Sequence, residues 1–269
     1  MHFAVRDADN RSHILHAVLE VDGDKGPTVR EVSTSPVLQP GRIGCFDDSG
    51  VTPGCVVRQE GRYCLYYLGW FLSTPAPFQC AIGLAVGEGP AGPFTRVHEA
   101  PVLGRNPVDP ISLSYPYVEH TGDGWRMIYG SHLEWTEEKG GMRHVLREAH
   151  SPDGVNWVAR ADALVGLTKG EWGLSRPWLV TVEGREVMLY AQRRPQGYTL
   201  GAAMKGADEG WERSVDAIRF DGPLSAIERK DQTYPSILQT KEETYLLYNG
   251  DGYGRAGVCS ARLVSASFD

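Results

Sequence analysis

The sequence predicts an all-β fold, a five-bladed β-propeller whose first blade lacks its innermost strand. Two observations carry this. Four runs share one plan: VTPGCVVRQEGRYCLYYLGW, SYPYVEHTGDGWRMIYGSH, SRPWLVTVEGREVMLYAQRR and TYPSILQTKEETYLLYNGDG. Each has a proline, an apolar strand, a polar turn and a second strand ending in Tyr and small residues. Helical periodicity is almost absent, and 17 prolines with 32 glycines leave little room for long helices.

The repeat sets the blades in order, as one domain over 1–269. The first, about 1–43, has MHFAVRDADNRSHILHAVLEV, which reads as a second and third strand, and TVREVST as a fourth. The next three span about 44–105, 106–165 and 166–222. They open near Pro53, Pro116 and Pro177, and proline is tolerated at a strand's first residue, where no ladder donor is required. Their third strands are CAIGLAV, HVLREAHS and YTLGAAM. A Gly/Asp/Pro turn and an aromatic follow each, namely Phe94, Trp157 and Trp211, and the aromatic begins an outer strand. The last blade, about 223–269, opens near Pro235 and has AGVCSARL as its third strand; an outermost strand after it is left open. Four short strands in a period of about 60 residues are the mark of propeller blades.

Composition excludes several classes of function. The formal net charge is -7 and no Lys/Arg tract occurs, which argues against nucleic acid as a partner. No apolar run approaches the roughly 18 residues of a membrane span. The N-terminal MHFAVRDADNRSH lacks the basic and apolar regions of a signal peptide. Five cysteines without CxxC spacing read as reduced thiols. The expected compartment is the cytoplasm. No metal or other cofactor is expected, because the histidines have no adjacent acid pattern.

Acids precede the inner strands. Asp48 lies five residues before Pro53 and Asp47 one further; Asp109 is seven before Pro116, Glu171 six before Pro177 and Asp231 four before Pro235. Equivalent positions in blades are related by rotation, so these acids are expected to converge at one end of the channel. A ring of acids in a partly closed channel splits pKa values, as acid/base catalysis needs. The alternative is that such acids cap turns through backbone N–H groups. Arg176, directly before Pro177, is expected at the same mouth, either holding an anionic ligand or pairing with Glu171. Further ligand-binding candidates end second strands or open third ones: His132, Glu134 and His144, then Arg193, Asn249 and Tyr253. Trp70, Trp135 and Tyr253 are candidates for stacking on sugar faces; aromatic strand ends also serve as core.

The five-unit plan, the SPDGVNW turn and the acids before inner strands resemble the five-bladed propeller glycoside hydrolases. These are the arabinanase/β-xylosidase and invertase/levansucrase groups and the related mannoside phosphorylases. RDADNRSHILHAVLEV, PVLQPGRIGCFDDSGVTPGCVV, YCLYYLGW, GLSRPW and YNGDGYG resemble more closely a less characterised branch found in polysaccharide or natural-product gene clusters. The resemblance implies Asp48 or Asp47 as base or nucleophile, Asp109 as the acid that tunes it, and Glu171 as proton donor; of the adjacent pair, Asp48 is expected to face inward and Asp47 to be the turn residue, among the substrate-binding candidates. It implies a carbohydrate-active enzyme that cleaves a glycosidic bond in a glycan or small-molecule substrate. Two other classes stay open: a cytoplasmic tailoring enzyme acting on an anionic sugar or natural-product intermediate, and a non-catalytic glycan-binding propeller.

Overall fold

The computed structural model describes residues 1–23, 25–136, 141–214, 218, 220 and 224–264. All regular structure in these residues is β. The chain divides into two compact units: Met1–Leu19 with Val29–Ala163, and Glu20–Thr28 with Leu164–Asp269.

The chain opens with β1 (His2–Arg6) and β2 (Ser12–Asp22), paired antiparallel; β3 (Gly26–Val32) also pairs with β2, and the Glu20–Thr28 segment of this pair is counted with the second unit. Two four-stranded meanders follow. One comprises β4 (Gly50–Gln59), β5 (Arg62–Leu72), β6 (Phe78–Gly87) and β7 (Thr95–Arg96). The other comprises β8 (Ser112–Thr121), β9 (Gly124–Trp135), β10 (Met142–Ser151) and β11 (Val158–Ala159). The second unit repeats the plan with β12 (Gly173–Val182), β13 (Arg185–Arg194), β14 (Gly197–Lys205) and β15 (Trp211–Ser214). It closes with β16 (Thr233–Gln239), β17 (Thr244–Asn249) and β18 (Val258–Arg262). Among the described residues the first repeat has three strands, β1 to β3.

The second strand of each meander is the core of that repeat. Cys64–Leu68 and Trp125–Ser131 are continuously buried in the first unit, and Val187–Ala191 and Tyr245–Tyr248 in the second. A strand covered on both faces reads as a continuous apolar run, which is why these segments show no alternation. Ile14, Val37, Leu38, Val51, Leu65, Tyr67, Ala85 and Phe94 form one cluster in the first unit. Val187, Leu189, Ala202, Leu246 and Tyr248 form another in the second. A fully buried side chain of this size contributes about 1.5–3 kcal/mol. Phe94, expected to open an outer strand, is a core residue ahead of β7. None of the five cysteines is in a disulfide.

The prolines do more than open strands. Each sits a few residues inside its inner strand, at a register shift: Pro53/Cys55, Ser114/Tyr117, Ser175/Trp178 and Thr233/Ser236. A bulge tolerates a residue that cannot donate to the ladder. In three of the four, the residue before proline has a left-handed backbone: Tyr115 (φ 37°), Arg176 (φ 53°) and Tyr234 (φ 56°). Such a conformation is unfavourable for a non-glycine residue.

Candidate functional site

Each meander has one buried acid in the loop before its inner strand, and each buried acid is tied down. Asp47 is 0% exposed; its Oδ2 accepts hydrogen bonds from the Tyr67 hydroxyl at 3.0 Å and Arg96 Nε at 2.8 Å. Asp109, also 0% exposed, accepts from the Tyr129 hydroxyl at 2.7 Å and Arg147 Nη1 at 3.0 Å. Glu171, 3% exposed, is gripped by Arg213, with Nη1 and Nη2 each 2.7 Å from one carboxylate oxygen. Glu228, 8% exposed, accepts from the Tyr248 hydroxyl and from Ser225 N at 2.7 Å.

These acids share a register. Asp47, Asp109 and Glu228 each precede their tyrosine by 20 residues. Tyr190 holds the corresponding place after Glu171, with the Arg213 guanidinium 5.8 Å from its ring. The loops are built to present the acid inward. In T-x-x-E and S-x-x-E segments, Thr168 N donates to Glu171 Oε2 at 2.8 Å and Glu171 N to Thr168 O at 3.0 Å; Ser225 and Glu228 repeat this reciprocal turn. Asn106 Oδ1 accepts from Asp109 N at 3.1 Å.

The third strand decides where the cation comes from. Gly83 stands opposite Tyr67 and Gly201 opposite Tyr190. A Cβ on Gly83 would lie 2.2 Å from the Tyr67 ring, and one on Gly201 2.6 Å from Tyr190. With that space open, Arg96 and Arg213 reach their acids from the outer strands, opposite Ala85 and Ala203. In the β8–β11 repeat the residue opposite Tyr129 is Arg147 itself. In the last repeat Cys259 stands opposite Tyr248, and burial followed by the neighbouring Glu228 charge pushes its thiol up to about 11.

The electrostatics follow from these contacts. Burial pushes the Glu171 carboxyl up, but the Arg213 hydrogen bonds, the Thr168 N–H and the Arg213 charge outweigh it and hold the group below its usual range. Glu228 is also held low: burial raises it, and the Tyr248 and Ser225 hydrogen bonds lower it further. Burial first, and the carboxylate partner second, push the Tyr129 and Tyr248 hydroxyls far up, so both are donors at neutral pH. Burial does the same to Tyr67, followed by the Asp47 charge.

Several expectations change on this geometry. Of the adjacent pair, Asp47 is the inward residue. Asp48 is the turn residue, accepting from Gly44 N and Ser49 Oγ, both at 2.9 Å. The arginine gripping Glu171 is Arg213. The acid matching Asp47, Asp109 and Glu171 in the last repeat is Glu228. Asp231 instead braces loops, accepting from Tyr198 N at 2.8 Å and Gly252 N at 3.2 Å. Sequence reasoning missed Glu228 and the tyrosine and arginine partners; the recurring acid-to-tyrosine spacing is the signal that marks them.

The other candidates fall at strand ends within each unit. In the first, His132 and His144 are both buried, with ring centroids 5.8 Å apart, and His132 Nε2 is 3.3 Å from Ser114 Oγ. Glu134 points away to an exposed ion pair with Arg143 at 3.0 Å. Trp135 packs edge-on against Phe78 at 4.9 Å. In the second unit, Arg193 lies 5.4 Å over Trp172 and 5.9 Å over Tyr198, and Arg176 lies 6.0 Å from the Tyr234 ring. Tyr253 lies 5.4 Å from Tyr198 and 6.4 Å from Tyr234, and Asn249 Nδ2 donates to Tyr253 O at 3.2 Å. Among the described residues no group of three His, Cys, Asp or Glu side chains could hold a metal ion, and no helix is long and apolar enough to cross a membrane.

No protein-family model matches the chain. The uncharacterized protein Rv1502 of Mycobacterium tuberculosis (strain ATCC 25618 / H37Rv) is 36% identical over 270 residues, covering 96% of this chain and 85% of its own. Uncharacterized protein MT1551 of the CDC 1551 / Oshkosh strain matches to the same extent. Among solved structures, a glycoside hydrolase has a TM-score of 0.72 at 14% identity, covering 99% of this chain and 87% of its own. A thermostable family-43 glycoside hydrolase has 0.65 at 14%, covering 99% and 89%. The Bombyx mori GH32 β-fructofuranosidase BmSUC1 has 0.58 at 18%, covering 97% and 58%. At these identities the likeness speaks for the fold: the chain is an all-β propeller of the kind found in glycoside hydrolases. By sequence, the chain belongs to the family of the two mycobacterial proteins.

Proposed function

We propose that this family member is a carbohydrate-active enzyme that engages a glycan or small sugar ligand at the opening ends of the inner strands of its second unit, through the bulge residues Arg176 and Tyr234. The carrying observation is the contrast between two sets of matched positions. The acids are buried and gripped, whereas the left-handed bulge residues Tyr115, Arg176 and Tyr234 keep partial exposure under backbone strain. Strain at matched positions outside the core is characteristic of ligand contacts. In this reading Asp47, Asp109 and Glu171 hold the opening loops in place. In the first unit, Asp48 meets a backbone N–H and a serine hydroxyl rather than an arginine. The domain is read as five blades, about 1–43, 44–105, 106–165, 166–222 and 223–269, working in the cytoplasm on a biosynthetic intermediate.

The second reading is glycoside hydrolysis with Asp48 as base, Asp109 tuning it and Glu171 as proton donor, favoured by the fold likeness. A general acid needs a raised pKa and access to the leaving oxygen, and Glu171 has a lowered one and a bidentate arginine. Turnover of a panel of chromogenic glycosides by Arg176→Met, Tyr234→Ala and Glu171→Gln separates the readings, because only the second needs Glu171 to transfer a proton. The bulge variants should lose about tenfold or more in kcat/KM at near wild-type Tm. Full turnover in both bulge variants would overturn the proposal.

A further inference from the structure

We propose that the second unit carries a subsite for a sugar bearing an anionic group, phosphate or carboxylate, formed by a tyrosine platform of Tyr253 and Tyr234, packed on the buried Tyr198, between Arg176 and Arg193. The inference rests on the carbohydrate reading above and names the ligand class of one part of that site.

The platform is organised before any ligand arrives. Tyr253 is 55% exposed, yet its loop is fixed. Asp251 Oδ1 accepts from Lys230 N at 2.8 Å and Asp231 N at 2.9 Å, while Asp231 reaches back to Gly252 N. Tyr253 itself is left-handed at φ 61°, a conformation that this bracing maintains. An exposed aromatic ring held rigidly against two others fills no core. It offers an apolar face with a polar hydroxyl edge, which suits the C–H face of a pyranose, and little ordering entropy remains to be lost on binding.

The cations sit at the margins of the same platform. Arg193 lies over Trp172 and Tyr198, and Arg176 beside Tyr234. Stacking orients a planar guanidinium while its N–H donors point outward in plane. With five donors each, the two arginines accommodate an anion alongside the protein contacts they already make. The nearby carboxylates spend themselves elsewhere: Asp231 and Asp251 on backbone N–H groups, Glu171 on Arg213 and Thr168 N. Asp231 and Asp251 keep their charge, so the attraction for an anion is local, through guanidinium N–H donors, rather than a net positive patch.

The test is a titration, by calorimetry and saturation-transfer NMR, of gluco-, galacto- and manno-configured hexoses. Each is offered in neutral, uronate and phosphate form, with inorganic phosphate as a further probe. At least one anionic hexose should bind about tenfold or more tighter than its neutral counterpart, with the preference shrinking as salt rises. Arg193→Met should abolish that preference and leave neutral binding in place, whereas Tyr253→Ala should weaken both forms. The uronate and phosphate arms distinguish the two anion sources. Neutral forms binding as tightly as anionic ones would overturn the inference and leave the carbohydrate reading standing. Inorganic phosphate binding as well as any sugar phosphate would overturn the sugar part of the subsite. Absence of binding in every arm would overturn both.

Discussion

At the scale of single residues, the carboxylates that recur before inner strands are each met by partners from other strands: Tyr129 and Arg147 at Asp109, Arg213 at Glu171. Asp109 and Glu171 were legible as special because they recur before inner strands. Their partners were not, because Arg147 and Arg213 lie far along the chain and no local pattern announces a contact across a sheet. Asp47 and Asp48 differ by one position, and only the Tyr67 and Arg96 contacts decide which faces in. Two predictions belong here. Tyr67→Phe removes one donor from a buried carboxylate and should cost about 1.5–3 kcal/mol; denaturant unfolding that matches wild type would contradict the Asp47 contact. The second concerns pH. Glu171 and Glu228 are held below the ordinary value of 4.5, so their stabilisation is complete above that value and is lost as pH falls through the lower folded pKa. Thermal scans from neutral pH downward should show a loss of stability below 4.5 that is smaller in Glu171→Gln than in wild type. Parallel curves would contradict it.

At the scale of elements, the third strand carries the informative choice. Glycine at 83 and 201 lets an outer-strand arginine reach the acid; Arg147 does the work from the third strand itself. Gly83→Ala and Gly201→Ala should each destabilise by about 1–3 kcal/mol through overpacking against a buried tyrosine, read as a lower denaturant midpoint. An unchanged midpoint in both would mean that the ring opposite has room to yield. The meanders themselves were readable, since turn residues and buried apolar runs are local signals. The position of proline within the strand was not: a bulge depends on register with the neighbouring strand, which one strand's sequence does not encode.

At the scale of the whole molecule, periodicity made the fold visible, because repeated opening prolines, tyrosine-ended strands and turns leave the same trace in every unit. Chemistry was less visible for the same reason. Repetition copies structural acids as readily as catalytic ones, and matched position alone does not separate them. The central claim is that these acids hold the blade openings together, and Glu171 tests it best because its grip by Arg213 is bidentate. The decisive measurement is calorimetric unfolding of wild type, Glu171→Gln and Glu171→Gln/Arg213→Met. Leaving the half-buried Arg213 without its acid should cost about 1–3 kcal/mol, a fall in Tm on the order of 5 °C for a chain of this size. Removing both charges should restore at least half of that loss. A Glu171→Gln protein that unfolds at the wild-type temperature while losing turnover would contradict the account and return Glu171 to the role of proton donor.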